Sequence, residues 1–459
     1  MKKILFVVIC GLLVLTTVSV QAKENMTESI GTTSATIKGN NYVIDNESKT
    51  ITVTSNANIE VSGNAEDYKL VVDNNAKDVK ITLNNYTAIT GGWADTIGLK
   101  ENSEAEIILV GQNTLQAGNE ASAIRVPEGT TLTISGEGTL SAKISNGNSA
   151  ASSAVIGSAY NYPFGDIIIN SGTIYTSYTG GGQITGIGSG YWYFDVECKG
   201  TITLNGGVIH TDVIGNPAGK TNIFLKGSNK AVVYANQINA DQSEFNGIIF
   251  DGEGKNGTVI GNVELVQDIE IPTDGKLEMP KDSTLTVKPN VTIINNGQII
   301  NNGKIVNKGL IQNNNKIENN GEITSATEIN NVDGNEIKPI IYVITVNVGK
   351  GGNIDKEKVT TINYGEEYTT TITPNKGYKI KSITVNDVDY TSKVIDNKLT
   401  LSNIESNLTI NIEFEKKQSI ADNPETSDNL FLYLSTIMIS LIGIAGTTIY
   451  LIKNKGERL

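Results

Sequence analysis

The residues that could do chemistry in this 459-residue chain are few and scattered. His210 is the only histidine, standing in "GGVIHTD" with Asp212 on the same face if the segment is extended. Arg125 and Arg458 are the only arginines, and Cys10 and Cys198 the only cysteines. Glycoside hydrolysis needs paired carboxylates at a set separation; elimination from an acidic sugar needs a basic side chain beside acid-held calcium. Between residues 76 and 235 there is no Asp-Asp pair, no His beside an Arg and no Arg-x-Lys. The expectation is that the protein is not an enzyme: His210 reads as a solvent-facing strand residue and Arg125 as the partner of a neighbouring carboxylate. One histidine and one mature thiol cannot build a zinc site unaided. No cofactor is expected. Calcium, held at coil corners such as those around Asp95 or Asp166, is the one candidate ion, and no EF-hand spacing marks its ligands.

Aromatic side chains give the stronger signal. Tyr160, Tyr162, Phe164, Tyr175, Tyr178, Tyr191, Trp192, Tyr193 and Phe194 crowd into residues 160–194, and Trp93 stands apart in "GGWAD". Sugar rings lay C–H faces on aromatic planes while their hydroxyls bond polar groups, so aromatics in polar loops suit a glycan. The candidate glycan contacts are Trp93, Tyr160, Tyr162, Tyr178, Tyr191, Trp192 and Tyr193. The same rings could instead cover a coil end or pack on one another. A net charge of −13 and a pI near 4.8 argue against nucleic acid or anionic lipid, which need basic patches.

The elements that must carry these residues repeat. "DVKITLNN", "AEIILVGQNTL", "TTLTISGEGTL", "GDIIINSGTI", "GTITLNGGVI" and "TNIFLKGS" alternate apolar and polar residues with the period of a strand. Between them returns a second phrase, a small residue then Ile, with Ile97, Ile124, Ile156, Ile187 and Ile214 spaced 27, 32, 31 and 27 residues apart. Units this short cannot bury a core alone and must stack. The fold class is therefore all-β: a parallel β-helix, a solenoid of three short strands per coil, over residues 23–330. Ile51, Val53, Ile59 and Val61 mark its first coils or cap. Within it, residues 289–324 hold hexads of Asn-polar-Gly-x-Ile-x, with Ile299, Ile305, Ile311, Ile317 and Ile323 six residues apart. One hexad makes one side of a coil, and inward asparagines could form ladders; the rival reading is a low-complexity linker.

After a polar joint, residues 341–415 read as a separate β-rich module. "YVITVNV", "YTTTITP", "YKIKSITVN", "KLTLSNI" and "LTINIEF" supply its strands. Through Gly352, Ile354, Pro374, Gly377, Tyr378, Val385 and Phe414 it resembles the divergent internalin-type B-repeat of bacterial surface proteins, which implies a spacer or binding unit without chemistry. Phrases such as "SAIRVPEGTTLTISGEGTL" resemble the carbohydrate-binding parallel β-helix family of secreted bacterial proteins.

The ends imply a cell-surface address. Residues 1–22 read as a signal peptide: Lys2, Lys3, an apolar run, then Val20-Gln21-Ala22. Residues 416–430 form a linker containing Asn423, Pro424, Glu425, Thr426 and Ser427, followed by an apolar span at 431–452 and a basic tail at 453–459. This order resembles a sortase sorting signal in which Ser427 replaces the expected Gly; a plain transmembrane helix is the alternative. The sequence thus points to a non-catalytic protein on the outer face of a Gram-positive-type envelope, held by membrane or peptidoglycan, that binds polysaccharide or host glycan or acts in adhesion. A passive stalk and a calcium-dependent polysaccharide lyase are the alternatives.

Overall fold

The computed structural model describes residues 27–417 apart from 119, 148–152, 161, 181–183, 191–197 and 218–220. The expected signal peptide, sorting motif and membrane span lie outside the described residues, among which no helix is long and apolar enough to cross a membrane. The chain is all-β and divides into two compact units, residues 1–340 and 341–459.

The first unit is a β-solenoid built from two lobes. In the lobe that spans Thr27 to Asp251, each coil lays one strand on each of three parallel faces. The first face stacks Thr50–Val53, Lys69–Val72, Ile97–Leu99, Ile124–Arg125, Ile156–Tyr160 and Ile187–Gly190. Leu70, Ile97, Ile124, Ile156, Ile187 and Ile214 pair in register down this face and are all buried. The second face carries Ile59, Ile81, Ile107, Ile134, Ile169 and Leu204 in a like column. On the third, Leu140, Ile174, Ile209, Val233 and Ile249 point inward. The uneven interval between repeats resides in the turns, because the strands keep register whatever the loop length. Glycine follows Ile156, Ile187 and Ile214 for a steric reason. A Cβ on Gly157 would overlap the carbonyl oxygen of Gly188, and one on Gly188 that of Gly215.

The N-terminal end is closed by antiparallel strands. Thr36–Gly39 lies antiparallel on Asn58–Asn64 and Tyr42–Asp45 on Thr50–Val53, which gives the first coil a cap rather than a bare parallel edge.

The second lobe begins at a reversal. Gly247–Asp251 pairs antiparallel with Asn256–Ile260 through a turn in which Gly252, Glu253 and Gly254 all have positive φ. Ile249 faces the first lobe's core, whereas its neighbours Ile248 and Phe250 face the other way and join Val259 and Leu277 in a second core. Strand direction and core side reverse together, so the winding sense is the same in both lobes.

From there each turn shortens to the hexad coil. Strands such as Thr292–Asn295, Gln298–Asn301 and Lys304–Asn307 occupy three faces in succession, and the stacked partners stand 18 residues on. Each of these strands ends on a buried asparagine. The Asn295 amide donates to Asn313 Oδ1 (2.7 Å) and that of Asn301 to Asn319 Oδ1 (2.8 Å); the Asn307 amide meets Ser325 Oγ (2.8 Å). Each therefore links one coil to the next inside a core where a lone amide would be costly. The polar stretch that reads as a joint carries the last strands, Val332–Gly334 and Ile337–Pro339, paired onto this stack.

In the second unit, Ile341–Val348 lies parallel to Leu408–Lys416 and antiparallel to Val359–Asn363, with Tyr378–Val385 on the other side of Leu408–Lys416. Gly352–Ile354, Tyr368–Pro374 and Lys398–Leu401 form a smaller sheet around the same core. A Cβ on Gly352 would enter the ring of Phe414, which explains why glycine and phenylalanine occur together there.

Asn301→Ala removes the donor to Asn319 and the acceptor for the Gly303 amide, and should lower stability by about 1–3 kcal/mol. The change at its half-buried neighbour, Asn302→Ala, loses only a bond from Asn320 at the solvent side (3.1 Å) and should cost less. Urea unfolding followed by circular dichroism would separate the two, and equal losses would mean that the buried column does not hold the coils together.

Candidate functional site

Among the described residues, the aromatic candidates do not share one surface. Trp93 is 80% exposed in a turn and Tyr162 61% exposed beyond the first face, its carbonyl oxygen accepting from Ser158 Oγ (2.6 Å) and Ser189 Oγ (3.0 Å). Phe164 is buried against the core and over Gly200. Tyr178 is in register with inward Ile144, half-buried, and its hydroxyl donates to Asp212 Oδ2 (3.3 Å). It is a strand residue packed on the core, not part of a loop shelf. The Tyr160 side chain and residues Tyr191, Trp192 and Tyr193 lie outside the described part of the structure.

A different aromatic array is present. On the third face, Tyr175, His210, Tyr234 and Phe250 occupy one register position on four successive coils. Their rings stack with centroids 4.5, 4.5 and 4.7 Å apart and planes within 8° of parallel. His210 is therefore half-buried between two tyrosines, which corrects its reading as a solvent-facing filler. Burial holds its pKa below the ordinary histidine value, so the ring is neutral at pH 7. Burial, assisted by the nearby Glu270 charge, pushes the Tyr234 hydroxyl up to about 12. Tyr175, at the head of the column, is 43% exposed, and the position before it is Ser141, too small to cover its ring. At the other end Phe250 is buried in the second lobe's core, where Gly257 leaves room for it.

The sequence carried a signal for this array. "TIYT", "VIHT", "VVYA" and "IIFD" each place the ring one residue after an inward Ile or Val. His210 hides the pattern by standing where the eye expects a carbocycle, and Tyr234 and Phe250 fall outside the cluster at 160–194.

Beside the column, at the seam between the lobes, a groove of about 560 Å³ is lined by the edges of His210 and Tyr234 and by Asn236, Glu253, Glu270 and Pro272. Its polar wall is braced. The Asn236 amide donates to Asp212 Oδ1 (2.7 Å), and its Oδ1 accepts from the Glu253 backbone N–H (3.0 Å), which fixes the reversing turn. Glu270 Oε1 accepts from the Asn296 amide (2.8 Å). A second hollow of about 650 Å³ lies by the N-terminal cap, where Tyr68 is buried and donates to Asn46 (2.8 Å) and Lys49 pairs with Asp67 (2.7 Å). Its single ring is turned into the core, so the seam groove is the better platform for a ligand.

Asp95, one of the calcium candidates, is engaged: Arg125 Nη2 and Nε reach it at 2.9 and 3.2 Å, and the Ser122 N–H donates to it at 2.7 Å. Asp166 is exposed on the second face. Among the described residues no three His, Cys, Asp or Glu side chains gather as a metal set.

The fold and its site define a β-solenoid with a surface aromatic column. The second unit has a family: residues 342–418 match the divergent InlB B-repeat domain, as the residues around Gly352 and Phe414 imply. No curated protein and no solved structure matches the chain.

Because folding depresses the His210 pKa, the stability this group contributes is fully present above the unfolded value near 6.5 and is lost as pH falls through the folded one. Thermal melts from pH 7.5 to 5 should fall less steeply for His210→Phe, which keeps the stack without a titrating ring. Identical slopes would remove the column from the acid sensitivity.

Proposed function

We propose that this is a cell-surface, non-catalytic glycan-binding protein acting in recognition or adhesion, with the stacked rings and the seam groove as its binding surface. The observation that carries the reading is the Tyr175–His210–Tyr234–Phe250 column bordering a groove rich in hydrogen-bonding groups. An oligosaccharide could lay an apolar face of one sugar on the open side of Tyr175 and seat another in the groove, against the edges of His210 and Tyr234, with its hydroxyls turned to Asn236, Glu253 and Glu270. The resemblance of the coils to carbohydrate-binding parallel β-helix proteins supports the same class. The B-repeat at 342–418 fits a protein displayed outside the cell, and the sorting-like segment 423–427 with the span 431–452 would hold it to peptidoglycan or membrane.

A passive stalk is the second reading, favoured by the interlocked asparagine columns that stiffen the second lobe without presenting a site.

A glycan array probed with the purified full chain should show a defined set of bound structures. Tyr175→Ala should reduce that binding about tenfold at unchanged melting temperature. The proposal fails, and the stalk gains, if no glycan is held or if Tyr175→Ala binds as well as the parent.

A further inference from the structure

The seam groove has a charge character that the ring column does not explain. Its two acidic side chains, Glu253 and Glu270, come from different elements, the reversing turn and the strand Ile269–Ile271, and no lysine or arginine lines it. Lys255, on the reversing turn, pairs with Asp274 at 2.7 Å and stands 3.9 Å from Glu253. Asp212 lies behind Asn236 and adds a further negative charge. Glu270 uses Oε1 for the Asn296 amide, which leaves Oε2 for a ligand. A uronate or sialic acid would meet like charge at either carboxylate, whereas an ammonium group would meet opposite charge and a hydrogen-bond acceptor at each.

Building on the glycan reading, we propose that the groove selects sugars bearing a free amine, with the pyranose ring against the edges of His210 and Tyr234 and the ammonium between Glu253 and Glu270. The aromatic edges are common to every hexose and supply the base affinity. The carboxylates supply the discrimination. Both are exposed, so the preference is modest and weakens as salt screens it, the Debye length falling from about 10 Å at 0.1 M to about 3 Å at 1 M.

The test is calorimetric titration of the full chain with three β-1,4-linked tetrasaccharides: glucosamine, N-acetylglucosamine and glucose. The glucosamine oligomer should bind about tenfold more tightly than the other two in low salt. Glu253→Gln and Glu270→Gln should each cut that advantage about threefold, and the double variant should erase it, the glucosamine oligomer binding that variant no more tightly than the glucose oligomer binds it. Equal binding of all three oligomers, or a preference that survives the double variant, overturns amine selection and leaves the glycan reading standing. Binding of none of the three, together with an empty glycan array, overturns the glycan reading and this inference with it. Circular dichroism of each variant confirms that a loss of binding is not a loss of fold.

Discussion

Parallel pairing in register is the interaction on which everything else in the first unit rests. No coil has enough apolar surface to fold alone; each inward Ile, Leu or Val is buried only because the same position on the coils before and after it is also apolar. The columns through Ile97, Ile124, Ile156, Ile187 and Ile214 are the visible result. Register also aligns what faces outward. Once Ile174, Ile209, Val233 and Ile249 stack inside, the residues that follow them must stack outside, and four of those happen to be rings. The aromatic column is thus a by-product of core geometry as far as position goes, and a feature of this sequence as far as chemistry goes.

The seam between the lobes comes from the same rule applied twice. At Gly247–Asp251 both sides of one strand are apolar, "GIIF", so both can be core. A strand buried on both faces needs a cover on the outside, and the second lobe is that cover. Phe250 is the ring column's last member and a core residue of the second lobe at once, so the column ends by passing from surface to interior. The groove forms beside this crossing because the turn at 252–254 must swing out to reverse the chain, carrying Glu253 with it.

Much of this was legible in the sequence, and for a stated reason. Period-two alternation and isoleucine spacing report burial directly, so the coils, the hexads as coil sides and the strands of the B-repeat could be read from residue type alone. The asparagine ladders followed from six-residue spacing, since three hexads make a turn of the stack. The reversal at 247–260 could not be read this way: "GIIFD" and "GTVIGN" look like further parallel repeats, and only pairing partners distinguish an antiparallel return. The strands Val332–Gly334 and Ile337–Pro339 were likewise masked by their polar composition, because a terminal coil has a neighbour on one side only. For the site, the density of aromatic residues along the chain does not reveal the ring column, because neighbourhood in a solenoid is set by register. Residues 175 and 250 lie three coils apart and in one column.

That column has a mechanical consequence. Tyr175, His210 and Tyr234 belong to the first lobe's outer wall, while Phe250 is held in the second lobe's core. The stack is therefore a rivet across the seam, and a tether pulling on the C-terminal side of the chain would load it. A ligand seated in the groove would touch His210 and Tyr234 on one bank and Glu270 and Pro272 on the other. By mass action, occupancy would strengthen the join between the lobes, and tension that parts the lobes would release the ligand.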